Sequence, residues 1–401
     1  MYFQPILIYL KFHPIPLKPT LKSIRRIGSN GLLLQQQYVN NKKTPCPRRL
    51  SGRTPNPEFT TKLFTMINYF SNLIHLVRIL MSLFFHIRKQ RRFVRKTLAV
   101  DIANSRKNND NSLDEHDYKK MKGYYGVAVP AILGESYCLL RGRSMSSDER
   151  YSITYLGACT GLFDDFFDKR HLLAEYIRTL IDNPFAVTGN TNNETIFLEF
   201  YKKALLHATD SGLVKQYAFD VFEAQLMSKK QLLSELDPLE IKNITIQKGG
   251  SSLLFYRSTF SENMSDEEIQ MLKILGGIGQ LENDIFDVYK DYKSGVNTLA
   301  TTTSTIGELR QTYMSLMHEV FDLVHKTPYA RSHKLKFLRT LSLVISRGLV
   351  CLDFLENNES STGNTFKIGQ YQRHDLVCDM GKPIHFLKSI HYYARTNIGK
   401  P

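Results

Sequence analysis

Between about Leu98 and Leu355 apolar side chains recur at steps of three and four residues, as in Leu316, Val320, Leu323 and Val324, and no stretch alternates apolar with polar residues over the length of a strand. A period near 3.6 keeps one face of a helix apolar, and it cannot keep one face of a strand buried. The chain is therefore expected to be all-α, with one large helical domain over residues 98–356. Turn and cap chemistry at Asp182-Asn183-Pro184, Thr188-Gly189-Asn190, Asp237-Pro238, Ser261-Glu262-Asn263 and Lys326-Thr327-Pro328 divides it into helices. Residues 357–401 are expected to be a polar loop, Asn357 to Asn364, followed by a C-terminal segment.

The net charge of +15 suggests nucleic acid until its placement is considered. Residues 1–97 carry eighteen Lys or Arg and one acid, Glu58, so the remaining residues sum to −2. The helical domain is not a basic polyanion-binding surface, and no nucleic-acid partner is expected. Residues 1–65 hold eight of the fourteen prolines and show no sustained period. They are expected to be disordered, with Met66 as an alternative biological start and an organelle transit peptide as the competing reading. Residues 66–97 read as an apolar helix ending in Arg88-Lys89-Gln90-Arg91-Arg92. Arg78 near its centre argues against a membrane span and for packing on the domain or lying at an anionic membrane surface. Five cysteines without metal or disulfide spacing fit a reducing cytoplasm.

Two acidic motifs carry the chemistry. In Asp164-Asp165-Phe166-Phe167-Asp168 the first and last carboxylates are four residues apart and share a helix face, with Asp165 alongside. Asn283, Asp287 and Asp291 repeat that spacing in a second row, 119 residues after the first. Like charges packed on one turn repel unless cations screen them. Magnesium takes oxygen ligands, commonly one or two carboxylates together with substrate phosphate oxygens. Two such rows in one helical domain are the ligand set expected for metal ions bridging to a diphosphate.

The first motif resembles the aspartate-rich motif of terpene synthases and chain-elongating prenyltransferases. The second is similar to the Asn, Ser/Thr/Asp, Glu/Asp triad of terpene cyclases, with Asp287 in the Ser position and Asp291 replacing Glu. The run from Gln280 through Asn283, Asp287, Asp291 and Gly295 also resembles the second motif of squalene and phytoene synthases. The chain lacks tryptophan, a clear Arg at the place ahead of the first motif where phytoene synthases carry one, and an Arg-Tyr pair after the second. The resemblance implies a class I isoprenoid synthase: a helical bundle around a central cavity, with magnesium, expected as three ions with manganese as an alternative. Asp164, Asp165, Asp168, Asn283, Asp287 and Asp291 would be the metal ligands.

Gln247-Lys248-Gly249-Gly250-Ser251-Ser252 is expected to interrupt a helix, because glycine weakens one. In the family a broken helix at that place turns cations towards the diphosphate, which implies Lys248 and Arg257 as donors; Lys290 is a further candidate. Tyr155, Cys159, Thr160, Phe163, Phe167, Phe255 and Tyr256 are the expected pocket residues, with aromatic faces available to a carbocation. Arg347, Arg373 and the Tyr392-Tyr393-Arg395 group are read as capping the site from the C-terminal side. Gly276, Gly277 and Gly279 are expected to serve close helix packing, with cavity volume for a long chain as the alternative.

The activity expected is ionisation of an allylic prenyl diphosphate followed by cyclisation or rearrangement. Alternatives are squalene- or phytoene-like head-to-head condensation, chain elongation, and a non-catalytic helical protein that binds a prenyl lipid or membrane. Besides the prenyl diphosphate, a membrane surface is an expected contact through residues 67–96, which would make a cytoplasmic protein membrane-associated. The sequence leaves a homodimer open.

Overall fold

All regular structure in the described residues, 57–233 and 236–398 of a computed structural model, is helical. From Ile67 onward the chain forms one compact unit. The disordered reading of residues 1–65 lies outside the described residues except where the first helix begins. That helix, α1 (Pro57–Thr97), starts earlier than expected and is followed by α2 (Ala99–Lys107). A continuous helical run over 115–141, α3, leads to α4 (Ser147–Asp168), α5 (Ala174–Asp182), α6 (Asn192–His207) and α7 (Ser211–Ser228). Then come α8 (Pro238–Arg257), α9 (Asp266–Phe286), the short α10 (Val288–Lys293) and α11 (Leu299–Thr302), and the long α12 (Ile306–Lys326) and α13 (Arg331–Ser361). Two further helices, α14 (Arg373–Leu376) and α15 (Pro383–Arg395), complete the described chain.

The boundaries follow from local chemistry. Asp237 caps α8, with Pro238 in the first turn, where its missing N–H removes no helical bond. Ser146, Thr191, Asp210, Ser265 and Thr305 each accept an amide hydrogen bond from the first turn of their helix. Two expectations fail. Helix α13 continues through Ser361, so most of the stretch expected as a polar loop is helical. Helix α8 runs unbroken through Gly249 and Gly250.

The glycine pair serves a different purpose from a break. A Cβ on Gly249 would stand 1.9 Å from the carbonyl oxygen of Gly276, and one on Gly276 would stand 2.2 Å from that of Gly249. Gly250 faces the Lys273 backbone and Gly277 faces Ile246. Helices α8 and α9 thus cross backbone against backbone, which only residues without side chains permit. A second close approach joins α4 to α3. A Cβ on Gly157 would meet the Tyr125 carbonyl oxygen at 2.8 Å. There α3 is widened into π-helical turns over Lys120–Tyr125 and Val129–Gly134. The second includes Pro130, which has no N–H to donate within the run.

From Ile67 onward helix α1 is part of this unit. Leu76, Leu83, Ile87 and Val94 are buried along one side. Gln90, wholly buried, donates to the Gly126 carbonyl at 3.0 Å and to Thr154 Oγ1 at 2.8 Å, and accepts from Arg150 at 2.9 Å. Nearer its start, Asn72 donates to the Ala394 and Thr396 carbonyls at 3.1 and 3.0 Å.

Replacing Gly276 with Ala should destabilise the fold by about 3 kcal/mol or more, because backbone has to give way. Gly307→Ala, where nothing lies within 4 Å of the added carbon, should be neutral or stabilise by about 0.5 kcal/mol. Urea unfolding of both variants measures the contrast, and similar losses in the two would contradict the packing role of Gly276.

Candidate metal and diphosphate site

Both acidic motifs stand at the ends of long helices. Asp164 and Asp168 lie in the last turn and a half of α4, Asp164 half-buried and Asp168 exposed. Gln225 of α7 donates to Asp164 Oδ1 at 2.9 Å. Burial raises the Asp164 carboxyl above the ordinary range; nearby Lys248 opposes the rise, and Asp168 and Asp165 add to it. In the second motif α9 stops at Phe286 and α10 restarts at Val288, with Asp287 between them. The amide of Asp287 still bonds to the Asn283 carbonyl at 2.8 Å, and that of Asp291 to the Asp287 carbonyl at 2.9 Å. The one-turn spacing therefore survives the break.

The centre of the second row is not quite where the motif put it. Asp284, Asp287 and Asp291 lie three and four residues apart and share a face, with Asn283 at its edge. Asp284 is buried; its Oδ1 accepts from Gln280 at 2.7 Å, while its Oδ2 has no hydrogen-bond partner among the described residues. Burial lifts it to about 7 against the Gln280 hydrogen bond, with repulsion from Asp291 and Asp287 adding and Lys248 opposing. Asp291 is lifted to about 6 by burial and by Asp287, against Lys290 and Lys248. Helical arithmetic alone could have selected Asp284. The hydrogen bond from Gln225 had no signal in the sequence.

Lys248 connects the rows. On the unbroken α8 it is half-buried, and its positive charge acts on Asp164 of one row and on Asp284 and Asp291 of the other. Lys290 stands mostly in solvent, with its ammonium 3.9 Å from Asp287 Oδ2.

Other expected residues are engaged elsewhere. Arg257 is 1% exposed; its Nε donates to Glu268 at 2.6 Å and a terminal nitrogen donates to the Glu262 carbonyl, so it fastens the α8–α9 connection and is not a free diphosphate donor. Asp165 points away from Asp164, to Lys169 at 2.8 Å, and Lys169 also reaches Asp117 at 3.2 Å. This removes Asp165 from the set that could share a metal with Asp164. Arg347 is buried against Glu282 at 2.7 Å, and Tyr392 donates to Asp353 at 2.6 Å. An Asp114, His116 and Asp117 group lies close enough together for a metal. Its two carboxylates already close the capping box of α3, and Asp117 also holds Lys169.

The expected pocket residues divide. Thr160 Oγ1 and Tyr256 Oη lie 2.6 Å apart, tying α4 to α8 close to Asp164. Phe163 and Phe167 pack with each other and on Phe197 and Phe222, Lys229 standing 5.8 Å from the Phe167 ring. Phe255 is half-buried beside Tyr256. Cys159 is a buried thiol. Tyr155 is nine residues before Asp164, on the opposite side of α4, and its ring neighbours are Tyr151, Phe200 and His207.

No family model, curated protein or solved structure matches the chain. What the site can do rests on its residues alone.

The raised carboxyls carry a sign for stability. An acid lifted above its unfolded value near 4 holds in the fold a proton that the unfolded chain has lost. Metal-free stability should therefore fall as pH rises from about 4 to about 7 and level off above. Asp284→Asn should gain over the native chain by about 3 kcal/mol more at pH 7.5 than at pH 4.5. Thermal melts without divalent cation test this, and an equal difference at both pH values would contradict it.

Proposed function

We propose that the chain is a magnesium-dependent class I isoprenoid synthase that ionises an allylic prenyl diphosphate. The observation that carries this reading is Lys248, a cation with carboxylates of both acidic rows in its field. An all-oxygen donor set suits magnesium, and a buried Asp284 oxygen without a partner, repelled by Asp287 and Asp291, is a group whose burial a cation would compensate. Asp164 and Asp168 would hold metal on one side, and Asp287 and Asp291, with Asn283 and Asp284 beside them, on the other. Bound there, magnesium supplies charge neutralisation to the departing diphosphate.

The protein's own groups do the rest. Lys248 offers a positive charge between the rows, and Lys290 a second at the solvent edge beside Asp287. Gln225 orients Asp164, and the Thr160–Tyr256 pair fixes α4 against α8, so the carboxylates are held before substrate arrives. Phe163, Phe167 and Phe255 supply apolar, π-rich surface near the first row, which excludes water and favours a cation. Cyclisation or rearrangement of a single substrate is the favoured outcome. Head-to-head condensation is the second reading, because Asp287 and Asp291 are both carboxylates, as in squalene and phytoene synthases.

Incubation with ten-, fifteen- and twenty-carbon prenyl diphosphates, each with and without magnesium and isopentenyl diphosphate, tests the reading. Metal-dependent release of diphosphate with a hydrocarbon product from one substrate is expected; a condensed dimer would indicate the second reading. Asp164→Ala and Asp287→Ala should each lower kcat/KM by on the order of a hundredfold to a thousandfold. Lys248→Ala should weaken substrate binding, whereas Arg257→Ala should lower the melting temperature. No diphosphate release from any substrate would sink the proposal.

A further inference from the structure

The outer face of α1 combines two properties in sequence along one stripe. Phe70, Ile74, Val77, Met81, Phe84 and Phe85 are 40–63% exposed and fall within roughly one quarter to one third of the helix circumference. Continuing the same face, Arg88, Arg92, Arg95 and Lys96 are exposed and make no ion pair among the described residues. The stripe is apolar for about 22 Å and basic for about 12 Å beyond, at 1.5 Å per residue.

A second helix lies beside the start of α1. The Tyr69 ring lies 5.9 Å from Phe70 and 6.2 Å from His391 of α15, and His391 shares its helix face with Ile384 and Leu387, 57% and 59% exposed. Large apolar side chains grouped on two neighbouring helices and bordered by unpaired cations are not an ordinary solvated surface.

Residues 68–97 are long and apolar enough to cross a membrane. A span is nevertheless the wrong geometry, because the opposite side of α1 is fixed to the domain from Asn72 to Val94 through Leu76, Leu83, Ile87 and Gln90. The helix must lie flat with the body behind it. Two copies pairing in parallel through this stripe would bring their basic stretches together, and antiparallel pairing would leave those stretches without counter-charge. A bilayer with anionic headgroups meets both parts, with acyl chains for the aromatic stretch and phosphates for the arginines.

We propose that α1, with the exposed edge of α15, seats the protein in the plane of an anionic phospholipid membrane. Arg78, on the border of the apolar stretch, extends its charge to the headgroups while its stem lies along the apolar surface. The inference stands independently of the chemistry at the acidic rows.

Flotation of the full chain with phosphatidylcholine vesicles, with and without phosphatidylserine, tests it. The native chain should float with the anionic vesicles, and Phe70→Ser/Val77→Ser/Phe84→Ser should reduce binding at least tenfold. These side chains are exposed, so an unchanged melt is expected alongside. Arg88→Glu/Arg92→Glu/Arg95→Glu should abolish the preference for phosphatidylserine. Because the chain contains no tryptophan, Val77→Trp supplies a single reporter whose emission should shift to the blue and be quenched by brominated lipid. The proposal would be overturned by no flotation of the native chain, by undiminished binding of the triple-serine variant, or by a native dimer that this variant splits while vesicle binding stays absent. Unquenched emission from Val77→Trp on vesicles that bind the protein would do the same.

Discussion

Gly249 lies backbone to backbone against Gly276, with Gly250 and Gly277 beside them, and the placement of the second acidic row relative to Lys248 depends on that contact. Gly277 and Asp284 are seven residues apart, nearly two full turns, so the face of α9 that meets α8 is also the face that carries Asp284. Lys248 immediately precedes the glycine pair on the partner helix. Any side chain at the crossing would push the two backbones apart and carry the lysine away from the carboxylates. The tie between Thr160 and Tyr256 then brings the end of α4 into the same neighbourhood.

Cations in this region fall into two groups. Arg257 and Arg347 are buried, and each has a carboxylate at hydrogen-bond distance, Glu268 and Glu282 respectively. Burial lifts Glu282 to about 7 and the neighbouring arginine works against that rise, as expected for a pair removed from water. Among the described residues Lys248 has no such dedicated partner and instead acts on several carboxylates at once. That difference separates a cation that builds the fold from one left available to a ligand.

Much of the helical frame was legible because period and cap chemistry are local. Asp237-Pro238, the ends of α5 and α12, and the absence of strand alternation all depend on residues within a turn of one another. The glycine pair in α8 was misread for a physical reason: glycine weakens an isolated helix, but a backbone crossing demands it, and the partner glycines lie far along the chain. Arg257 was misassigned because its partner, Glu268, is reached only across the turn between α8 and α9. Asp165 was grouped with its sequence neighbours, although Lys169 and Asp117 draw it to α3. Asp284 was within reach of spacing arguments and was obscured by a motif that assigns its weight to Asn283.

The second row is carried by two pieces of helix that meet at Asp287. Asn283 and Asp284 belong to the piece anchored by the glycine crossing, whereas Asp291 belongs to α10, only six residues long. Val288, the first residue of α10, is wholly buried, so the short piece that carries Asp291 is pinned to the core at the junction itself. The row is thus jointed but not loose, like a caliper locked at its pivot: the bonds across Asp287 and the anchored Val288 hold Asp291 at one set opening from Asp284.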